Sequence, residues 1–370
     1  MVFKNEHNPT FSIIKGIAII SVVIGHCVNS SFWEIFVNQY HLAIFFFIAG
    51  YFFKEKYLAA PKNYLIKKIK RLYIPFVCAG IGCALLHNAL HNMYIYSNVL
   101  TATDILKELF HVTVRMVSHE TLMGAMWFCP AMLIVSLISW GAFKTASLLK
   151  NNLSKQVNQI LVFSVLIGIA SICLYAVHLE SPYCIWQYMI ICGIFYEGFL
   201  FSKCKKKINR GGGGGGGRNM QLLYAILFTV LLILLLWLTS IGIYGRLQPA
   251  NVNVENPITI LLIAAMGALM VYCLSHLISN SKIGNWIAIC GDYSFSIMLL
   301  HFLAFKAVNL LQCLMYDYPL ERIAEFPCIN YLSMEWMGLY ILAGCTLPIA
   351  LSKLYEMILL HVFNIFKRNK

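Results

Sequence analysis

Ten long apolar runs, separated by short polar or basic stretches, constrain this chain more than any other feature. They lie at about 11–29, 41–53, 72–90, 122–143, 158–178, 183–202, 220–243, 257–278, 286–315 and 335–363. About 20 apolar residues in a helix cross a hydrocarbon core of about 30 Å. The expected fold is therefore an all-α polytopic membrane protein with about ten transmembrane helices. Only 12% of residues are charged, against about 25% in a soluble globular chain. The second run is short for a simple span and is expected to sit among other helices, after a loop at 30–40 that holds Trp33 and Tyr40. Trp and Tyr favour the membrane–water interface.

The basic residues orient the bundle. With the amino terminus inside, 22 of the 28 Lys and Arg fall on the inner side. Seven of these lie between Lys54 and Arg71, and six between Lys203 and Arg218. The positive-inside rule then places both termini in the cytoplasm, with the basic segments also meeting anionic membrane lipid. The net charge of +13 is spread over such segments. No segment is long and polar enough to be a basic soluble domain, so nucleic acid is not expected as a partner. The whole of 1–370 reads as one membrane domain. Residues 203–218, basic and then glycine-rich through Gly211–Gly217, read as a flexible cytoplasmic linker. The thirteen cysteines show no paired CxxC spacing and read as small buried hydrophobes rather than a disulfide or metal framework.

Two polar residues interrupt the first run. Lys15 and His26 are eleven residues apart, close to three helical turns and about 16 Å along the axis, so they share a face. If Lys15 marks the cytoplasmic surface, His26 lies deep in the bilayer, where an ionisable group is costly and points to function. An imidazole there can hold a structural hydrogen bond between helices or act as a general base toward a hydroxyl. Lys68 and Arg71, three residues apart at the start of the third span, would share a helical face. They have the charge to hold phosphates, or to flank a membrane in the ordinary way. His301 lies within the ninth span and suits a structural or a substrate contact. Asp292 is expected to cap that span. His87, His91, His111 and His119 lack the spacing of a metal site, so no metal is expected.

In sequence order, several segments resemble the acyltransferase 3 family of integral-membrane acyltransferases. Lys15 and His26 match the family's basic residue, ten residues, then histidine, with Lys where Arg is common. His41, Phe45, Phe46, Gly50 and Tyr51 match the motif of its second helix, with Ala43 and Ala49 in place of Pro and Ser. Lys68 and Arg71 match its Arg-x-x-Arg pair, and Trp127-Phe128-Cys129-Pro130 its Trp-Phe-Leu-Pro. Ser294 to His301 is similar to its late Ser-x-x-Ile-Tyr-Leu-x-His, with Met298 for Tyr. The likeness covers nearly the whole chain.

The resemblance implies a multi-pass protein of the bacterial cytoplasmic (inner) membrane. It would O-acylate a glycan or lipid-linked sugar from acetyl-CoA or another acyl-CoA. On that reading Lys15, Lys68 and Arg71 meet the donor, and His26 is general base or transient acyl carrier. His41, Trp127 and His301 would contact the acceptor. The competing class is a ten-span transporter of a lipid-linked sugar or small solute. No inverted repeat or chain of embedded acids favours it.

Overall fold

The computed structural model describes residues 9–28, 30–177, 185–210, 217–245, 256–329 and 334–368. The turn at 180–182 and the polar loop holding Arg246 and Glu255 lie outside them. The protein is 83% helical with no strand among the described residues. Ten helical stretches are long and apolar enough to cross a membrane. The expected all-α, ten-span class is therefore what is found.

The helices are α1 (Pro9–Cys27), α2 (Ser31–Asn38), α3 (His41–Tyr51), α4 (Pro61–Lys68), α5 (Ile74–His91), α6 (Ala102–Phe110) and α7 (Phe128–Leu148). They continue as α8 (Lys155–Ser171), α9 (Ile185–Arg210), α10 (Gly217–Ser240), α11 (Pro257–Ile278), α12 (Lys282–Asp292), α13 (Ser294–Tyr316) and α14 (Met334–Arg368). The basic residues from Lys203 onward continue α9 as far as Arg210, and α10 begins at Gly217. Glycines 211–216 of the expected linker lie outside the described residues.

Three local breaks depart from the sequence reading. The loop expected at 30–40 contains α2, so the second span is Ser31–Tyr51 with a bend before His41. Phe32, Phe36 and Val37 recur at helical spacing there, and Phe36 and Val37 are buried. The ninth span does not begin near 286. The chain breaks at Tyr293, and α12 and α13 are separate helices. Between α4 and α5 a π turn runs over Ile69–Tyr73. Pro75 has no N–H for the Arg71 carbonyl, and a π turn is a common way for a helix to absorb such a loss.

The chain divides into two compact units. The first comprises Met1–Glu34, Ala79–Met126 and Asn280–Lys370, and the second Ile35–Cys78 and Trp127–Ser279. Each has one helix crossing at backbone contact. In the first, α1 lies on α12. A Cβ added at Gly16 would overlap the Ile287 carbonyl, and one at Gly291 the Ser12 carbonyl. In the second, α3 lies on α9 in the same manner, with Gly50 against the Phe195 carbonyl and Gly198 against that of Phe47. Small residues let helices approach this closely in a membrane, where packing replaces the hydrophobic effect as the driving force.

An aromatic core supports the second crossing. Phe53 stacks on Phe143 with ring centres 4.7 Å apart, and Phe163 on Tyr196 at 4.4 Å. Beside it Glu55 accepts hydrogen bonds from Lys155 at 2.6 Å and Lys203 at 3.1 Å. These contacts bring the ends of the second and sixth spans and the start of the fifth together, as an alternating bundle requires. Burial pushes the Glu55 carboxyl up, but the two ammonium hydrogen bonds outweigh it and hold the group below its ordinary value.

Two expectations follow. Gly50→Ala and Gly198→Ala should each destabilise the protein by about 1–3 kcal/mol, the usual scale for overpacking. Thermal unfolding in detergent would read this, and wild-type midpoints would contradict the crossing. For Glu55, a folded pKa below the unfolded one means that its stabilisation is complete above the ordinary glutamate value of 4.5. It is lost as pH falls through the folded value. The melting difference between wild type and Glu55→Gln should be present at pH 7 and shrink toward pH 4.

Candidate active site

Within the first unit, the α1–α12 crossing determines what the polar face of α1 meets. Near its start, Ser12 Oγ donates to Asp292 Oδ1 at 2.7 Å, and Lys15 Nζ stands 3.9 Å from the same oxygen. Asp292 thus ends α12 and serves α1, rather than capping the ninth span; Tyr293 occupies the N-cap position of α13. Gly16, whose small size leaves its helix face open, receives the α12 backbone.

Three turns on, the same helix delivers His26 to α13. The His26 ring stacks on His301 with centres 5.3 Å apart and 25° between planes. Phe302 meets the edge of His26 at 4.8 Å. His301 is fully buried, whereas His26 is partly exposed. His301 Nδ1 faces the carbonyls of Ile297 at 2.9 Å and Met298 at 3.0 Å. Carbonyls only accept, so Nδ1 carries the proton and Nε2 carries the lone pair. That Nε2 is buried with no hydrogen-bond partner among the described residues. The arrangement contains a partly accessible imidazole over a second imidazole of defined tautomer, walled by aromatic rings.

A polar clamp holds the wall of this site. Lys306, buried on α13, donates to the carbonyls of Ala324 at 3.0 Å and Glu325 at 2.7 Å. Asn309 donates to the Ile323 carbonyl at 2.9 Å and accepts from Tyr340 on α14. The Tyr340 oxygen also accepts from Gln312 at 3.2 Å and from the Ile329 amide at 3.3 Å. The segment so anchored carries Phe326, whose ring packs on Phe302 at 4.6 Å.

The other candidates belong to the second unit. Lys68, the last residue of α4, donates to Ser136 Oγ on α7 at 2.8 Å, with its ammonium 5.4 Å from the centre of the Tyr64 ring. It is partly buried, while Arg71 is exposed. The π turn between them replaces the expected regular α-helical face. His41 opens α3 and is buried, with Nδ1 donating to the Val37 carbonyl at 2.6 Å, so it ties α2 to α3 across the bend. Trp127 is the half-buried N-cap residue of α7. Next to it Phe128 packs on Phe45 at 5.4 Å and Phe46 at 5.3 Å, which joins two of the sequence motifs.

The structure thus brings together His26 with His301, and Lys15 with Asp292. Sequence reasoning placed Asp292 as a cap and missed it as the partner of Lys15, and it missed Ser136 and the Lys306–Asn309–Tyr340 clamp. The signal for the first was a lysine inside an apolar run, which calls for a counter-charge. Among the described residues no group of three His, Cys, Asp or Glu side chains is set to hold a metal ion.

The fold is a bundle with ten helices long and apolar enough to cross a membrane, and comparison with known families supplies the class. Residues 8–354 match the model of a family described as an acyltransferase domain. The chain belongs to the acyltransferase 3 family and is a multi-pass membrane acyltransferase. Neither the curated proteins nor the solved structures yielded a match.

Removing the Tyr340 hydroxyl would leave Asn309, Gln312 and the Ile329 amide each short of a buried partner. Tyr340→Phe should therefore cost about 1–3 kcal/mol and raise hydrogen exchange across 320–329. Unchanged exchange there would show that the clamp does not hold the segment.

Proposed function

We propose that the enzyme transfers an acetyl group from cytoplasmic acetyl-CoA to a hydroxyl of an extracytoplasmic or lipid-linked glycan. The site would lie in a bacterial inner membrane, with both termini of the chain in the cytoplasm. The observation that carries this reading is the stacking of partly accessible His26 on buried His301.

In the proposed step His26 takes the proton of the acceptor hydroxyl as its oxygen attacks the thioester carbon. A C–O bond forms, the C–S bond breaks, and the proton passes to the departing sulfur to give free CoA. His301 positions the His26 ring through its own carbonyl-anchored tautomer. Its bare Nε2 offers an acceptor for a proton held at the site. Lys15 sits on the donor side, where Asp292 fixes its ammonium. Arg71 and Lys68 supply charge for the donor phosphates, which a long thin donor needs at one surface while it reacts in the interior. His41 and Trp127 contribute to the acceptor side through the bend of α2–α3 and the mouth of α7.

His26→Ala should lower transfer of labelled acetyl from acetyl-CoA to membrane glycan by about 10²–10⁴-fold, the usual worth of a general base. The melting temperature should stay near wild type. A folded His26→Ala protein that transfers at the normal rate refutes the assignment. Label retained on the wild-type protein after acid quenching, and absent from the variant, would make His26 the acyl carrier instead. Arg71→Ala should raise KM for acetyl-CoA with little change in kcat, because it would remove charge met by the donor before and during reaction alike.

A further inference from the structure

A second polar feature lies in the first unit, outside the imidazole pair. The segment 92–121, which follows α5, folds back on that helix and encloses a cavity of about 340 Å³. This is at the small end of the range of about 300–1,000 Å³ for ligand pockets. Its frame is rigid. Asn88 bonds Leu100 through both its amide nitrogen and its oxygen, each at 2.9 Å, and Thr101 caps α6 in a reciprocal pair with Asp104.

Two histidine–carboxylate pairs form its walls. Glu120, buried, faces His87 Nδ1 at 2.9 Å, while His87 Nε2 faces the Asn98 carbonyl at 3.0 Å. Glu108, also buried, accepts from Ser118 Oγ at 2.7 Å, from the His119 amide at 2.9 Å and from His119 Nδ1 at 2.8 Å. Burial pushes the Glu108 carboxyl up, but the Ser118 and His119 hydrogen bonds outweigh it and keep the group below its ordinary value. His119 Nδ1 is thereby fixed as a donor. The His119 side chain is otherwise 64% exposed. His111 stands edge-on to it at 5.0 Å. Lys107 and Asp104 add an exposed ammonium and a carboxylate 3.7 Å apart.

The cavity therefore presents both acceptors and donors. Its carboxylates disfavour an anion, and the Lys107 ammonium disfavours a purely cationic guest. An uncharged ligand with several hydroxyls satisfies both sets, because each O–H donates and accepts. The cavity is linked through one packed segment to the ring beside His26. Thr121 lines it, and one turn later Gly124 packs so closely that an added Cβ would meet Phe302 and Phe326, both at 3.2 Å. Phe302 is the ring that edges His26.

We propose that this cavity binds an uncharged, hydroxyl-rich ligand of sugar size, the part of the acceptor next to the hydroxyl that reacts. The identification of the ligand as acceptor rests on the proposed O-acyl transfer; the binding site itself does not.

The test is saturation-transfer NMR on the purified full-length protein in detergent, with glucose, galactose and N-acetylglucosamine as probes. Glucosamine and inorganic phosphate serve as the charged alternatives. At least one neutral sugar should bind saturably. Lys107→Met and His111→Ala should each weaken that binding about tenfold while keeping the wild-type melting temperature. His26→Ala should bind sugar as wild type does. The proposal is overturned if no neutral sugar binds, if only glucosamine or phosphate binds, or if both cavity variants bind unchanged. Failure of the catalytic reading would look different: His26→Ala would keep its transfer rate while the sugar results stood.

Discussion

The contact of α1 with α12 at Gly16 and Gly291 determines much of what the first unit can do. Each helix presents a glycine at the crossing, so their backbones meet and the rotation of α1 is constrained. With that phase set, the face that carries Lys15 also carries His26, about 16 Å further along. Since α12 runs into α13 after one residue, Tyr293, the same face meets α12 first and α13 next. Asp292 and His301, nine residues apart on those two helices, become the partners of Lys15 and His26. A single close packing contact thus positions an ion pair at one end and an imidazole pair at the other.

The span count was legible in the sequence because it rests on length and composition alone. The breaks within spans were less so, because each depends on a local compromise that averaged hydropathy conceals. Residues 30–40 look like an interfacial loop from Trp33 and Tyr40, yet Phe36 and Val37 bury a helical face there. Pro75 was visible, but its effect on the spacing of Lys68 and Arg71 depends on the chain choosing a π turn over a kink. Of the site, His26 and His301 were each detectable as imidazoles in apolar runs. Their contact was not, since 275 residues of chain separate them and only the tertiary crossing unites them. The histidines of 87–119 were dismissed for want of metal spacing. The pairing of His87 with Glu120 and of His119 with Glu108 leaves no periodic trace.

The buried polar groups of the first unit fall into two kinds. Lys306 and Asn309 find carbonyl partners in 323–325, so their burial ties a segment to α13 and is offset locally. His301 is different. Its Nδ1 is provided for, but its Nε2 is not. An unmet buried acceptor costs about 1–3 kcal/mol, and an apolar side chain among Phe302, Phe305 and Gly344 would avoid that cost.

Such a cost is offset in any state in which the group gains a partner. The proposed acyl transfer to a hydroxyl contains such a state: one proton leaves the acceptor and must be held before it reaches the departing sulfur. In the proposed step His26 takes that proton, and the lone pair on His301 Nε2 is a second acceptor in the same site. The tautomer imposed by Ile297 and Met298 keeps that lone pair available rather than turning an N–H toward the proton. Without the backbone anchor, His301 could rotate to donate instead, and that second acceptor would be lost. On this argument the two carbonyls of α13 matter to the chemistry as much as the ring they orient.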